Sequence, residues 1–182
     1  EDFARALEMD PTTPQAWTSR ALARGAWAAV KMARGEDAMD LLRASVEDFG
    51  KALELRSDAA ETWVGRGQVR SRAGIAASRS GQDPEPWFRD SLADLGRALQ
   101  INPRMADAWL YRAGSALIWA IHRSARGEDP DPRVAGPSER LLVRPSGDSL
   151  LHILARRPPA ADDADVAAGL VRAIADGGGK AV

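Results

Sequence analysis

Apolar residues recur along the chain at spacings of three and four. Val46, Phe49 and Leu53 form one such stripe, and Leu92, Leu95 and Leu99 form another. This is the period of a helix that buries one face. The stripes also recur at a longer interval. Trp17, Trp63 and Trp109 stand 46 residues apart, as do Arg20, Arg66 and Arg112, and then Gly35, Gly81 and Gly127. The same interval joins Asp2, Asp48 and Asp94, then Ala6, Ala52 and Ala98, then Leu7, Leu53 and Leu99, then Asp37, Asp83 and Asp129. So many positions in one register, tryptophan among them, define an internal repeat.

Each period reads as two helices. The first starts near Pro14, Ala60 or Met105 and runs to the glycine at 35, 81 or 127, a residue suited to a helix C-terminus. A short polar turn, Glu36-Asp37 or Gln82-Asp83-Pro84-Glu85-Pro86, leads to the second, over Leu41 to Leu55 and Trp87 to Ile101. Pro11 and Pro103 close that helix, and Ser57 holds the place in the middle copy. The expected order is a lone second-type helix (1–10), two full units (11–56 and 57–102) and a lone first-type helix (about 105–126). A unit of this kind cannot bury its apolar face alone. Apolar surface is therefore expected at both ends, and the chain reads as a fragment whose upstream half-unit precedes Glu1. From about Asp131 the pattern stops at Pro132, Gly136 and Pro137. Two amphipathic segments follow, 148–157 with Leu150, Leu151 and Leu154, and 162–176 with Val166, Leu170, Val171 and Ile174. They either cap the array, or form a flexible extension or the start of another domain.

The segments Asp2 to Pro11 and Ala93 to Pro103 resemble the second helix and closing proline of a tetratricopeptide repeat. Trp63-x-x-Arg66-Gly67 and its counterparts resemble that family's first-helix signature, W-x-x-L-G. Arginine replaces the leucine, and Arg24, Arg70 and Ala116 replace a later aromatic. The resemblance covers roughly residues 1–130 and implies an all-α, right-handed α-solenoid of antiparallel helix pairs, with 131–182 a non-repeat tail. A standard unit has about 34 residues. The extra length falls around the turn within each unit and lengthens each helix by about 9 Å at roughly 1.5 Å per residue. Trp27, Trp87 and Trp119 are expected to pack this added layer.

The resemblance further implies a protein–protein interaction scaffold that holds a peptide or partner helix in a concave groove lined by first-type helices. Carried over from the tryptophan, the groove positions are Gln15, Thr18, Leu22 and Gly25 in the first unit. Glu61, Val64, Gln68 and Ser71 follow in the second, and Asp107, Leu110, Gly114 and Leu117 in the third. The Lys, Asn and Arg with which chaperone-binding members clamp a terminal carboxylate are absent there, so that partner class is not expected. Trp17, Trp63 and Trp109 take the family's packing position. Arg20, Arg66 and Arg112 are likewise structural, with Asp48 and Asp94 expected to pair with Arg66 and Arg112 of the following unit. Extended units of this bacterial type also stand behind serine/threonine kinase domains. The alternative function is therefore a regulatory or substrate-recruiting arm of such an enzyme, although the chain contains none of the kinase motifs.

Composition narrows the chemistry. With 25 basic and 26 acidic residues the net charge is -1, which gives no basic field for nucleic acid and no polybasic membrane patch. Having no cysteine, the chain has no disulfide, thiolate metal site or cysteine nucleophile. That is compatible with a cytoplasmic setting. No apolar run approaches the ~18 residues of a membrane span. The two histidines are His122, on the third first-type helix, and His152, near Ser149; no orienting acid marks a triad. Gly177-Gly178-Gly179-Lys180 lacks the strand, Ser/Thr and helix of a phosphate-binding loop. No catalytic residue, cofactor or metal site is expected, and the apolar array ends leave self-association open.

Overall fold

The computed structural model describes residues 2–127, and the tail readings above, with His152, fall outside them. Among the described residues the chain is all-helical: α1 Asp2–Met9, α2 Pro14–Ala33, α3 Met39–Leu55, α4 Ala60–Arg79, α5 Glu85–Ile101 and α6 Ala106–Ala125. The first-type helices α2, α4 and α6 each have 20 residues, and the second-type helices α3 and α5 each have 17. The chain divides into two compact units, Glu1–Ala108 and Trp109–Val182.

The helix ends follow from particular residues. Gly35 and Gly81 both sit at φ +73°, the left-handed region open to glycine. This lets Gly35 N–H donate to the Met32 carbonyl and Glu36 N–H to the Lys31 carbonyl; Gly81 and Gln82 repeat the pair on Ser78 and Ala77. The last carbonyls of α2 and α4 are thereby satisfied, and the chain turns. Asp37 and Asp83 then accept a bond from the backbone N–H two residues on, at 2.9 and 3.0 Å, which starts α3 and α5. Gly127 has the same conformation after α6, at φ +72°.

Within the first unit α2 packs on α3, α3 on α4 and α4 on α5, with α2 also touching α4 and α1 resting on α2. The pairs within a repeat are antiparallel. Arg20 meets Asp48 and Arg24 meets Ala44, so one index falls as the other rises, and Arg66–Asp94 with Arg70–Asp90 repeats the trend. Ala21, Ala28, Leu42, Phe49, Val69, Ala73 and Ala77 form the core between them.

Helix α4 is covered on both sides, which explains its glycines. A Cβ on Gly65 would lie 2.7 Å from Phe49 Cζ of α3. On Gly67 it would lie 2.8 Å from Leu95 Cγ, and on Gly74 2.9 Å from the Phe88 ring of α5. Each glycine in a helix costs roughly 1 kcal/mol. Fully burying a Phe contributes about 1.5–3 kcal/mol, so the close approach is favourable. At the places equivalent to Gly74 and Phe88 the preceding unit has Ala28 and Leu42, both fully buried. One unit joins a smaller residue to a larger one, and the other uses two of middle size.

The expected tryptophan layer is corrected in one place. Trp87 is partly buried against the core and Trp119 is buried at 5% exposure. Trp27 instead projects into solvent with 52% of its surface exposed, because no described helix covers that stretch of α2.

Gly74→Ala is expected to lower the urea midpoint, since overpacking costs about 1–3 kcal/mol and exceeds the helix-propensity gain of about 1 kcal/mol. Gly96→Ala, where an added Cβ meets nothing within 4 Å, is expected to raise it. A rise in both variants would show that the Phe88 ring moves aside freely.

Candidate functional site

The polar chemistry of the repeat gathers where each first-type helix meets its own second-type helix. Arg20 Nε–H donates to Asp48 Oδ2 at 2.9 Å and Nη2–H to Oδ1 at 2.7 Å. Arg24 Nη1–H reaches the same Oδ2 and the Ala44 carbonyl. The next unit repeats this: Arg66 holds Asp94 at 2.9 and 2.7 Å, and Arg70 adds a bond at 2.6 Å. The aspartate side chains are only 3% exposed in both units. The Asp48 carboxylate, first by its hydrogen bonds and then by charge, holds the Arg20 guanidinium above its ordinary range.

Each bidentate arginine also stacks on the repeat tryptophan. Arg20 lies 4.8 Å from the Trp17 ring and Arg66 4.7 Å from the Trp63 ring, a cation–π arrangement. The indole N–H of Trp17 donates to the Pro11 carbonyl and that of Trp63 to the Ser57 carbonyl, both at 2.8 Å. A chain of contacts therefore runs from the incoming turn through tryptophan and arginine to the buried aspartate. One step further along the second-type helix, buried Ser45 and Ser91 donate to the carbonyls of Ala21 and Gly67, each at 2.7 Å.

This arrangement corrects the expected pairing. Asp48 and Asp94 bond to Arg20 and Arg66 of their own repeat, so Arg66 serves Asp94 and not Asp48. Asp48 shares its helix face with Ser45, which is tied to α2, whereas Phe49 points to Gly65 of α4. Arg24 and Arg70, which stand where the resembled family has an aromatic, join the cluster, a pairing role not expected from the sequence. In α6, described by itself, Arg112 lies 5.9 Å from the Trp109 ring. Its Nε has no hydrogen-bond partner among the described residues. The residue that continues the Asp48–Asp94 series is Arg140.

Both oxygens of each buried aspartate are engaged by guanidinium N–H groups, so neither is directed at a substrate. Among the described residues no group of three or more His, Asp or Glu is placed to hold a metal ion. Nor is any described helix long and apolar enough to cross a membrane. His122 lies half-buried on α6.

The groove positions divide by exposure. On α2, Gln15 and Leu22 are exposed and Thr18 is half-buried, at spacings of three and four. On α4, Glu61 is exposed and Gln68 and Ser71 are half-buried. On α6, Asp107 and Leu110 are exposed and Leu117 is half-buried. Val64, Gly114 and Gly25 are buried. A Cβ on Gly25 would come within 3.1 Å of Val69 Cγ2, which marks where α2 and α4 touch. The accessible rows of these two adjacent helices are Gln15, Thr18 and Leu22, and Glu61, Gln68 and Ser71.

Asp94→Ala is expected to destabilise the protein by about 3–5 kcal/mol, because it leaves two partly buried guanidiniums without their anion. Asp90→Ala is expected to cost less than ~1 kcal/mol, since its contact with Arg70 is long and half-exposed. Urea denaturation of both variants checks the contrast, and equal losses would remove the special place given to the buried carboxylate.

Comparison with protein-family models, with curated proteins and with solved structures found no match to this chain.

Proposed function

We propose that the chain is a protein-interaction scaffold of the tetratricopeptide type, a right-handed solenoid that holds a peptide or partner helix along the accessible rows of its first-type helices. The observation that carries this reading is that the 46-residue sequence period is also a structural period. The same hydrogen bonds, cation–π stacks and positive-φ glycines recur from unit to unit. Repetition of this kind presents equivalent side chains at regular intervals on neighbouring helices, the geometry that an elongated ligand needs.

The charge pattern supports the same reading. The buried charges are consumed in holding α2 to α3 and α4 to α5, which leaves Gln15, Thr18, Leu22, Glu61, Gln68 and Ser71, a row of mixed polar and apolar side chains with one carboxylate. Such a row suits backbone and side-chain hydrogen bonding with an apolar anchor at Leu22 more than it suits proton transfer. In this proposal the described residues carry no catalytic function and need no cofactor.

The test is selection from a displayed random-peptide library. Peptides selected on the native chain are expected to lose at least about tenfold in affinity, roughly 1.4 kcal/mol, to a Leu22→Glu, Gln68→Arg variant. The melting temperature of that variant is expected to stay close to the parent's, because Leu22 is exposed and Gln68 is not part of the core. Selection of no peptide, or of peptides indifferent to both substitutions, would place recognition elsewhere.

A further inference from the structure

The proposed peptide row runs on beyond Ser71. On α4, Glu61, Gln68, Arg72, Ile75 and Arg79 fall within an arc of about 60° and so share one face. Their repeat equivalents on α2 are Gln15, Leu22, Ala26, Ala29 and Ala33. Glu61 and Arg79 are exposed, and Gln68, Arg72 and Ile75 are half-buried. On α2, Ala29 is half-buried and the rest are exposed. This openness belongs to the packing of the repeats. Helix α4 has α2 and α3 before it and α5 after it, and its row stays accessible. Helix α2 is followed by α4, which approaches it at Gly25, and its row stays accessible too. Neither a preceding nor a following neighbour covers this face.

Helix α4 carries two classes of arginine. Arg66 and Arg70 turn towards α5 and hold the buried Asp94. Arg72 and Arg79 lie on the open face, two turns apart, with Gln68 one turn before Arg72. Arg79 is the last residue of the helix, where a cation complements the helix dipole. Arg72 stands two turns earlier, beyond the reach of that effect. The equivalent row on α2 does not neutralise them, since it holds no charged side chain. The one carboxylate of the α4 row is Glu61, about 16 Å from Arg72 along the helix axis. Among the described residues neither Glu61 nor Arg79 forms an ion pair. The row is thus polarised, with an acid in the first turn of α4 and two guanidiniums towards its end.

Building on the peptide-row reading above, we propose that the ligand is an acidic peptide segment. Its Asp or Glu side chains bond to Arg72 and Arg79 across an apolar residue seated on Ile75. It then continues past Leu22 towards Glu61, with no acidic residue at that end. A guanidinium offers paired N–H donors to a carboxylate, whereas Glu61 repels one, so the polarity of the row sets the direction of the peptide. Glu61 and the net charge of -1 both disfavour nucleic acid as the ligand.

The test uses the full chain and the displayed random-peptide library. Peptides selected on the native protein are expected to be enriched in Asp and Glu at one end. They lose at least about tenfold in affinity for an Arg72→Glu, Arg79→Glu variant, on which the library yields peptides rich in Lys and Arg instead. An Arg72→Gln, Arg79→Gln variant removes the charges without reversing them and keeps the test if the reversed one does not fold. It also loses about tenfold, and its residual binding no longer weakens as salt is raised. Selected peptides with no acidic bias, or indifferent to both variants, would overturn the proposal. So would a mixed-sequence single-stranded oligonucleotide that displaces the peptide from the native chain at equal concentration. Peptides lost with Leu22→Glu, Gln68→Arg but kept by both charge variants would leave the row in place and remove only its acidic ligand. Selection of no peptide would overturn both readings, so the two failures are distinguishable.

Discussion

The structure depends on a buried carboxylate shared by two guanidiniums. Asp48 and Asp94 are almost wholly removed from water, a position costly for an isolated charge. Each accepts a bidentate pair from one arginine and a third bond from another, a turn apart on the facing helix. Such a cluster is weak evidence for stability, because desolvation offsets most of the attraction. What it supplies is register. A first-type helix that slides by one turn against its partner leaves the anion without its fork.

The tryptophan beneath the arginine extends that constraint outward. Its ring supports the guanidinium and its N–H ties down the turn arriving from the preceding unit. Fixing the aspartate fixes the arginine, the indole and finally the connection between units. Apolar packing then completes each interface. The glycines of α4 let α3 and α5 approach it, and Phe49 and Phe88 fill the space so created.

Much of this was legible in the residues. The period, the helix boundaries and the glycine stops could be read because each depends on local chemistry recurring at a fixed interval. Partner choice was harder. A second-type helix has first-type helices on both sides, and spacing alone does not say which of them Asp48 faces; Ser45 on the same stripe settles it only once its bond to Ala21 is seen. Trp27 was misplaced for a related reason. Position in the repeat foretells burial only where the neighbouring helix is present, and α1 covers only part of α2. At the groove positions, the carry-over could not anticipate that Gly25 is taken up by the contact between α2 and α4, because that contact depends on how two units meet. The function itself was legible only through family resemblance, since no residue constellation specifies the ligand.

The exchange of Ala28 and Leu42 for Gly74 and Phe88 bears on how such a gene can change. Duplicated units invite recombination between copies. A crossover within the turn joining α2 to α3 or α4 to α5 would set Ala28 against Phe88, which crowds the ring, or Gly74 against Leu42, which leaves a void. A crossover between units transfers the Ala28–Leu42 or Gly74–Phe88 pair intact. The heritable module is thus the whole helical hairpin, and breakpoints that survive selection should fall around Pro11, Ser57 and Pro103 rather than around Gly35 and Gly81.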